Sequence, residues 1–243
     1  MGAAAYCDDL ILLAPHRSAL QKMLSTCEEY ANVHNIVFST DPNPNKSKMK
    51  CIYFCSNVRN VHYPAPVQLN DSYLPWVMSG DHLGHTLHQS GSMETDIRIK
   101  RAQYIDKTCD IRNTFCWAEP SQIIKAGDIY AGDHYGPNLW LLSSHSAEMY
   151  FKSWNTFVKL SWGVPLSTHI NLVEHVLANQ FVTSRNKILS RYVNYFQSLL
   201  KSSSKEVRIL TRIVTQDKQS VTRQNIDYIT KLSGLSPWDY GKV

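Results

Sequence analysis

An acidic pair set between two uncharged runs constrains this chain more than any other feature. The stretch reads Gly2-Ala3-Ala4-Ala5-Tyr6-Cys7-Asp8-Asp9-Leu10-Ile11-Leu12-Leu13-Ala14. Short apolar runs of this kind read as adjacent strands. Neighbouring residues on a flat strand point to opposite faces, so Asp8 and Asp9 can serve one site together only where the backbone turns, at a hairpin tip. Two carboxylates held there repel each other, and either water or bound cations must offset the repulsion. A plain solvated turn meets that need too, since Asp is a favoured turn residue. The Ala3 to Ala5 run also leaves a continuous helix open.

Beyond this stretch the chain has the makings of a globular protein. With 243 residues, 43% hydrophobic and 19% charged, it is long enough for a substantial core in one or two domains. No apolar run approaches the roughly 18 residues that span a bilayer. The apolar start has no basic flank and is interrupted by Asp8 and Asp9, unlike a secretory signal, so an intracellular setting, nuclear or cytoplasmic, is expected. The six cysteines (7, 27, 51, 55, 109 and 116) are scattered through strand and helix patterns and read as reduced thiols. Cys51 and Cys55 with His82, His85 and His88 could be assembled into a zinc site, but Cys-x3-Cys inside a strand-like run favours apolar packing.

Charge is unevenly placed. Residues 1–91 carry 6 Lys/Arg against 7 Asp/Glu, and residues 92–243 carry 19 against 13. Within 182–212 the bases Arg185, Lys187, Arg191, Lys201, Lys205, Arg208 and Arg212 face one acid, Glu206. Such a stretch suits a polyanion, or is an ordinary solvated helix face.

The pattern along the chain is strand and helix first, then helix almost throughout. Pro15 opens a helix with Leu20, Met23, Leu24, Cys27, Tyr30 and Ala31 at three- and four-residue spacing, after which Val37 and Phe38 return toward a sheet. The prolines and asparagines of 40–50 mark a loop carrying Lys46-Ser47, and 51–55 resumes as a strand. Asn70-Asp71 signals a hairpin within 67–74. Helices are expected over 97–115 (Ile97, Ala102, Ile105, Cys109), 122–130, 147–160, 170–181, 187–200 and 205–214, with Ser202-Ser203-Ser204 as a flexible break. Aromatics at helical spacing read as core. There is no repeat, no glycine-rich phosphate loop, no Cys-Cys-His-Cys knuckle and no Gly-x-Ser-x-Gly elbow.

Tyr6-Cys7-Asp8-Asp9-Leu10-Ile11-Leu12-Leu13-Ala14-Pro15, followed by a long amphipathic helix, resembles the Tyr-Ala-Asp-Asp segment of reverse transcriptases, closest to those of non-LTR (LINE-type) retrotransposons. Cys7 stands where that group has Ala. Three further stretches resemble the same enzymes. Lys46-Ser47 matches a Lys-Thr or Lys-Ser pair near the triphosphate, and Leu83-Gly84 matches a Tyr-Leu-Gly primer grip, with His82 in place of Tyr. Tyr135-Gly136 with Trp140 matches a segment that follows the polymerase.

The resemblance implies an α+β fold: residues 1–91 as the C-terminal half of a palm, a short antiparallel sheet with one covering helix; 92–200 as a helical thumb and thumb-following region; and 201–243 as a helical extension. It implies an RNA-directed DNA polymerase using RNA template, DNA primer, deoxynucleoside triphosphates and two Mg2+ ions in an in-line displacement. Asp8 would coordinate magnesium and Asp9 would support the site. Tyr6 would abut the primer end, Lys46 would assist the leaving pyrophosphate, and Leu83, Gly84, Arg185, Lys187 and Arg191 would hold nucleic acid. The family's other metal aspartate lies on an earlier strand, and Asp8 is the first acid here, so a fragment inactive by itself is expected, with an upstream half as a possible partner. A non-catalytic nucleic-acid-binding module and a relic without function are the alternatives.

Overall fold

The computed structural model describes residues 2–7, 9–41, 43, 46–55, 61–132, 135–176 and 182–234. The chain is mixed α and β and divides into two compact units, residues 1–95 and 96–243.

In the first unit, β1 (Gly2–Tyr6) and β2 (Asp9–Leu13) pair antiparallel from Gly2 opposite Leu13 to Tyr6 opposite Asp9. A hairpin is therefore present at the acidic pair, closing between Tyr6 and Asp9, with Asp9 as the first residue of β2 and Asp8 outside the described residues. Cys7 adopts a φ of 53°, the left-handed backbone that tight hairpin turns require. Next comes α1 (Arg17–His34), capped at its start by the His16 ring, which accepts from Ala19 N, and ended by Asn35 in left-handed conformation. Two further hairpins are present: β4 (Val67–Leu69) with β5 (Ser72–Leu74) around Asn70-Asp71, and β7 (Ser79–His82) with β8 (His85–His88) around Leu83-Gly84.

The palm expectation of one antiparallel sheet is corrected here. Among the described residues the strands form separate two-stranded pairs, and one of them, β3 (Cys51–Ile52) with β6 (Trp76–Val77), is parallel. The segments are two to five residues long, and Pro64 and Pro66 precede β4 (Val67–Leu69) while Pro75 separates β5 (Ser72–Leu74) from β6. Of the strand expected over 51–55, only Cys51 and Ile52 are in a ladder, and Val37 and Phe38 are not in a strand.

A hydrophobic core nonetheless ties β1–β2, β3–β6 and β4–β5 to α1. Leu24, Cys51, Val67, Leu69 and Leu74 are buried together, with Leu12, Leu20, Phe38, Met49 and Trp76 packed around them. Cys51 is thus a packing residue, and burial pushes its thiol up to about 11, which keeps it protonated and unreactive at neutral pH. Polar side chains of α1 complete the attachment. Gln21 Nε2 donates to Gln68 O (2.9 Å) while its Oε1 accepts from Gln68 N (2.9 Å), so one side chain occupies both backbone groups of an edge residue. Arg17 donates to Ala65 O and Pro66 O, and Glu28 accepts from Asn70 N.

The second unit packs α2 (Glu94–Thr114, from Asp96 onward) with α3 (Pro120–Tyr130), α4 (His145–Ser161), α5 (Ile170–Val176), α6 (Ser184–Leu200), α7 (Lys205–Gln216) and α8 (Val221–Ser233). The helix expected over 170–181 is described only to Val176; 177–181 lie outside the described residues. Tyr150, Phe151, Trp154 and Phe157 are buried, as their helical spacing indicated, and so are Trp140, Ile188, Tyr192 and Phe196. Gly127 lets α3 approach α4 closely: a Cβ there would lie 2.3 Å from Phe157 Cε1. Ser144, Thr183, Ser204 and Ser220 each cap the helix that follows, accepting from Ala147, Asn186, Val207 and Arg223 N. The serine triplet expected as a flexible break is instead a bonded turn, held by the Ser204 cap and by Arg208, which donates to Ser202 O and Ser203 O.

Candidate functional site

The hairpin tip is the first place where sequence chemistry and geometry meet. Asp9 opens β2 opposite Tyr6, both are exposed, and Tyr6 is 67% accessible. Asp8 lies outside the described residues. All of β1 is exposed, and among the described residues it pairs only with β2.

Magnesium is the cation the resemblance implies, and the fit of these residues can be judged from the donor set. A two-metal site needs carboxylates that bridge both ions, within near-octahedral oxygen geometry. Among the described residues the tip offers one exposed carboxylate, Asp9, and no group of three His, Cys, Asp or Glu side chains converges to hold a metal. Even with Asp8 added, two carboxylates supply too few fixed oxygens for two ions. The residues present do not complete such a site.

The other sequence candidates fall as follows. Lys46 is exposed, whereas Ser47 is buried and bonds within its own loop, to Met49 O (2.6 Å) and from Met49 N (3.2 Å). The preceding turn is fixed by Asn43 O, which accepts from Lys46 N and Ser47 N. Leu83 and Gly84 are the two turn residues between β7 and β8, with φ of 47° and 72°. Gly84 is thus required by the turn itself, and Leu83 is a branched residue in backbone that suits Asn or Gly. Leu83→Asn should stabilise the hairpin by about 1 kcal/mol, raising the melting temperature by about 2 to 4 °C. Thermal unfolding of the two proteins side by side checks it.

On the basic helices the structure separates charges that the sequence could not. Arg185 pairs with Glu148 of α4 and lies 5.1 Å from the Phe151 ring centroid, and Lys187 Nζ sits 2.8 Å from Asp128 Oδ1 on α3. These two, with Arg208 at the serine turn, hold helices together. Arg191, Lys201, Lys205 and Arg212 are exposed. The acids that engage Arg185 and Lys187 are 37 and 59 residues away in sequence, so no local pattern announces the pairing.

Comparison of the chain with protein families, with characterised proteins and with solved structures finds no match. Among the described residues no helix is long and apolar enough to cross a membrane.

Proposed function

We propose that this chain is the C-terminal palm and thumb portion of a reverse transcriptase of the non-LTR (LINE-type) retrotransposon class, which binds template and primer but does not polymerise by itself. The observation that carries the reading is the β1–β2 hairpin. It closes between Tyr6 and Asp9 and leads directly into a helix packed on a small-strand core. That order of parts is what the Tyr6 to Pro15 resemblance calls for. In this reading Asp8 and Asp9 are the carboxylates of an incomplete magnesium site, Tyr6 abuts the primer end, Lys46 serves the triphosphate, and Leu83-Gly84 lies on the primer side.

The exposed bases support a second reading, a nucleic-acid-binding module without catalysis. Phosphate contacts release condensed counterions, so affinity for an RNA–DNA hybrid should fall with salt at a log-log slope of roughly −0.7 to −0.9 per contact. Fluorescence anisotropy over a salt series measures this. Lys201→Ala with Arg212→Ala should weaken binding and make the slope shallower, while leaving the fold intact because both side chains are exposed. Arg185→Ala and Lys187→Ala break ion pairs to α4 and α3 and should lower stability as well. Binding that ignores salt, or is unchanged by Lys201→Ala with Arg212→Ala, removes these bases as a nucleic-acid surface.

A further inference from the structure

Three aromatic side chains of the first unit meet at its surface. Tyr63 lies nearly parallel to Trp76, with 19° between the ring planes and 6.5 Å between centroids, and Tyr53 meets the same indole edge-on at 6.2 Å and 76°. Trp76 is the floor of the group: on β6, in register with Cys51, it packs against the core of that unit. Tyr63 is held differently. Its hydroxyl donates to Gln89 Oε1 (2.8 Å), and Gln89 is buried, with its backbone N–H on Met78 O and its carbonyl accepting from Cys55 N. A buried, doubly anchored residue thus fixes the ring by its edge, while Tyr63 and Tyr53 remain 41% and 39% exposed. Aromatic rings fixed in place and left so far exposed are the parts of a stacking platform rather than of a core.

The charge of the surrounding chain selects what stacks there. Between Asp41 and Asp71 the sequence holds Lys46, Lys48, Lys50 and Arg59 and no acid. All three lysines are exposed, and Lys48 and Lys50 lead into β3, with Tyr53 directly after it. A cage for a quaternary ammonium group would use the same ring faces, but here it would sit in a like-charged segment with no carboxylate to offset the repulsion. A flat group carried on phosphates suits the rings and the lysines together. We propose that Tyr53, Tyr63 and Trp76 form a stacking platform for the unpaired bases of a single-stranded nucleic acid, with Lys48 and Lys50 supplying the charge for its phosphates. Such stacking tolerates any sequence, because every base has a π-face. The platform lies in the first unit and takes unpaired bases, so it is separate from the exposed bases of the second unit and stands independently of the polymerase reading.

Fluorescence anisotropy of the full chain with labelled oligothymidine, which has no pairing partner, tests this. Tyr53→Leu should weaken binding by about tenfold, whereas Tyr53→Phe should stay within about twofold of the wild type, because stacking needs the ring and not the hydroxyl. Tyr63→Leu should weaken binding by a similar factor, with Tyr63→Phe in between, since it keeps the ring but releases it from Gln89. Should the Tyr63 variants fail to fold, the Tyr53 pair decides the matter. Tyr53→Leu should leave the salt dependence unchanged, and Lys48→Ala with Lys50→Ala should make it shallower. A chain that does not bind oligothymidine at any salt concentration overturns the proposal, as does binding that Tyr53→Leu leaves intact or that Tyr53→Phe weakens equally. Binding of a trimethyllysine peptide in place of oligothymidine would make the rings a cation cage and overturns it too. Oligothymidine binding that persists where an RNA–DNA hybrid is not bound counts against the polymerase reading and supports the platform.

Discussion

Asn225→Ala should destabilise the second unit by about 3 kcal/mol, a large part of the stability of an ordinary domain. Asn225 is fully buried on α8, where its Oδ1 accepts from Leu142 N (2.8 Å) and its Nδ2 donates to Trp140 O (2.7 Å). One side chain therefore satisfies both a donor and an acceptor of the 140–142 segment, and alanine leaves both buried without partners. Trp140 depends on the same fixation. It is fully buried, its Nε1 donates to the buried Asp96 Oδ2 (2.9 Å), and its ring meets Tyr150 edge-on at 5.0 Å. Urea unfolding followed by tryptophan fluorescence measures the loss.

Asn225→Asp adds a pH signature. Its ionised carboxylate can still accept from Leu142 N but faces the Trp140 carbonyl without a donor, so burial and that carbonyl raise its pKa in the folded state. A folded pKa above the unfolded value means that the stability contributed by the protonated form is fully present below the unfolded pKa and is lost as pH rises through the folded pKa. This variant should therefore recover stability on acidification relative to Asn225→Ala, which should show no such trend.

The β1–β2 hairpin and the turn at Asn70-Asp71 were legible in the sequence because turn chemistry is local: acidic or amide residues between apolar runs specify it without help from the rest of the fold. Helix positions were legible from spacing, but helix faces were less so. In α2 the apolar pattern picks Ile97, Ala102, Ile105 and Cys109, whereas Ile97, Tyr104, Thr108 and Ile111 are the buried set among them, with Asp96. Tyr104 buries a ring 5.7 Å from Tyr150, and Thr108 satisfies its hydroxyl on Ile105 O, so both outcompete more hydrophobic neighbours. Burial, with Tyr150 and Asp128 nearby, holds the Tyr104 hydroxyl neutral well above its usual range.

The same limit applies to polar side chains whose partners are distant. Gln21 on β4, Asn225 on 140–142, and Lys187 on Asp128 each depend on a contact set by tertiary packing. A basic run in sequence therefore overstates the charge available to a polyanion. α7 is the clearest case: sequence periodicity correctly finds a helix there, but Ile209, Leu210 and Ile213 are exposed while Thr211 and Thr215 are buried.

The central claim concerns catalysis, and its consequence is all or none. Purified chain, bound at low salt to an RNA template with a DNA primer, should not extend the primer with deoxynucleotides in magnesium or manganese. Two carboxylates adjacent in sequence cannot by themselves fix two ions in register with a primer hydroxyl and a triphosphate, and a misplacement of 1 Å there can cost about a hundredfold. Primer extension read on a sequencing gel, with hybrid binding followed in the same samples, is the direct measurement. The expected result is bound hybrid and an unchanged primer, for the wild type and for Asp8→Asn alike. Extension by the wild type that disappears in Asp8→Asn would show that the chain builds a working site from its own residues and would contradict the account. Failure to bind the hybrid at any salt concentration would contradict it as well.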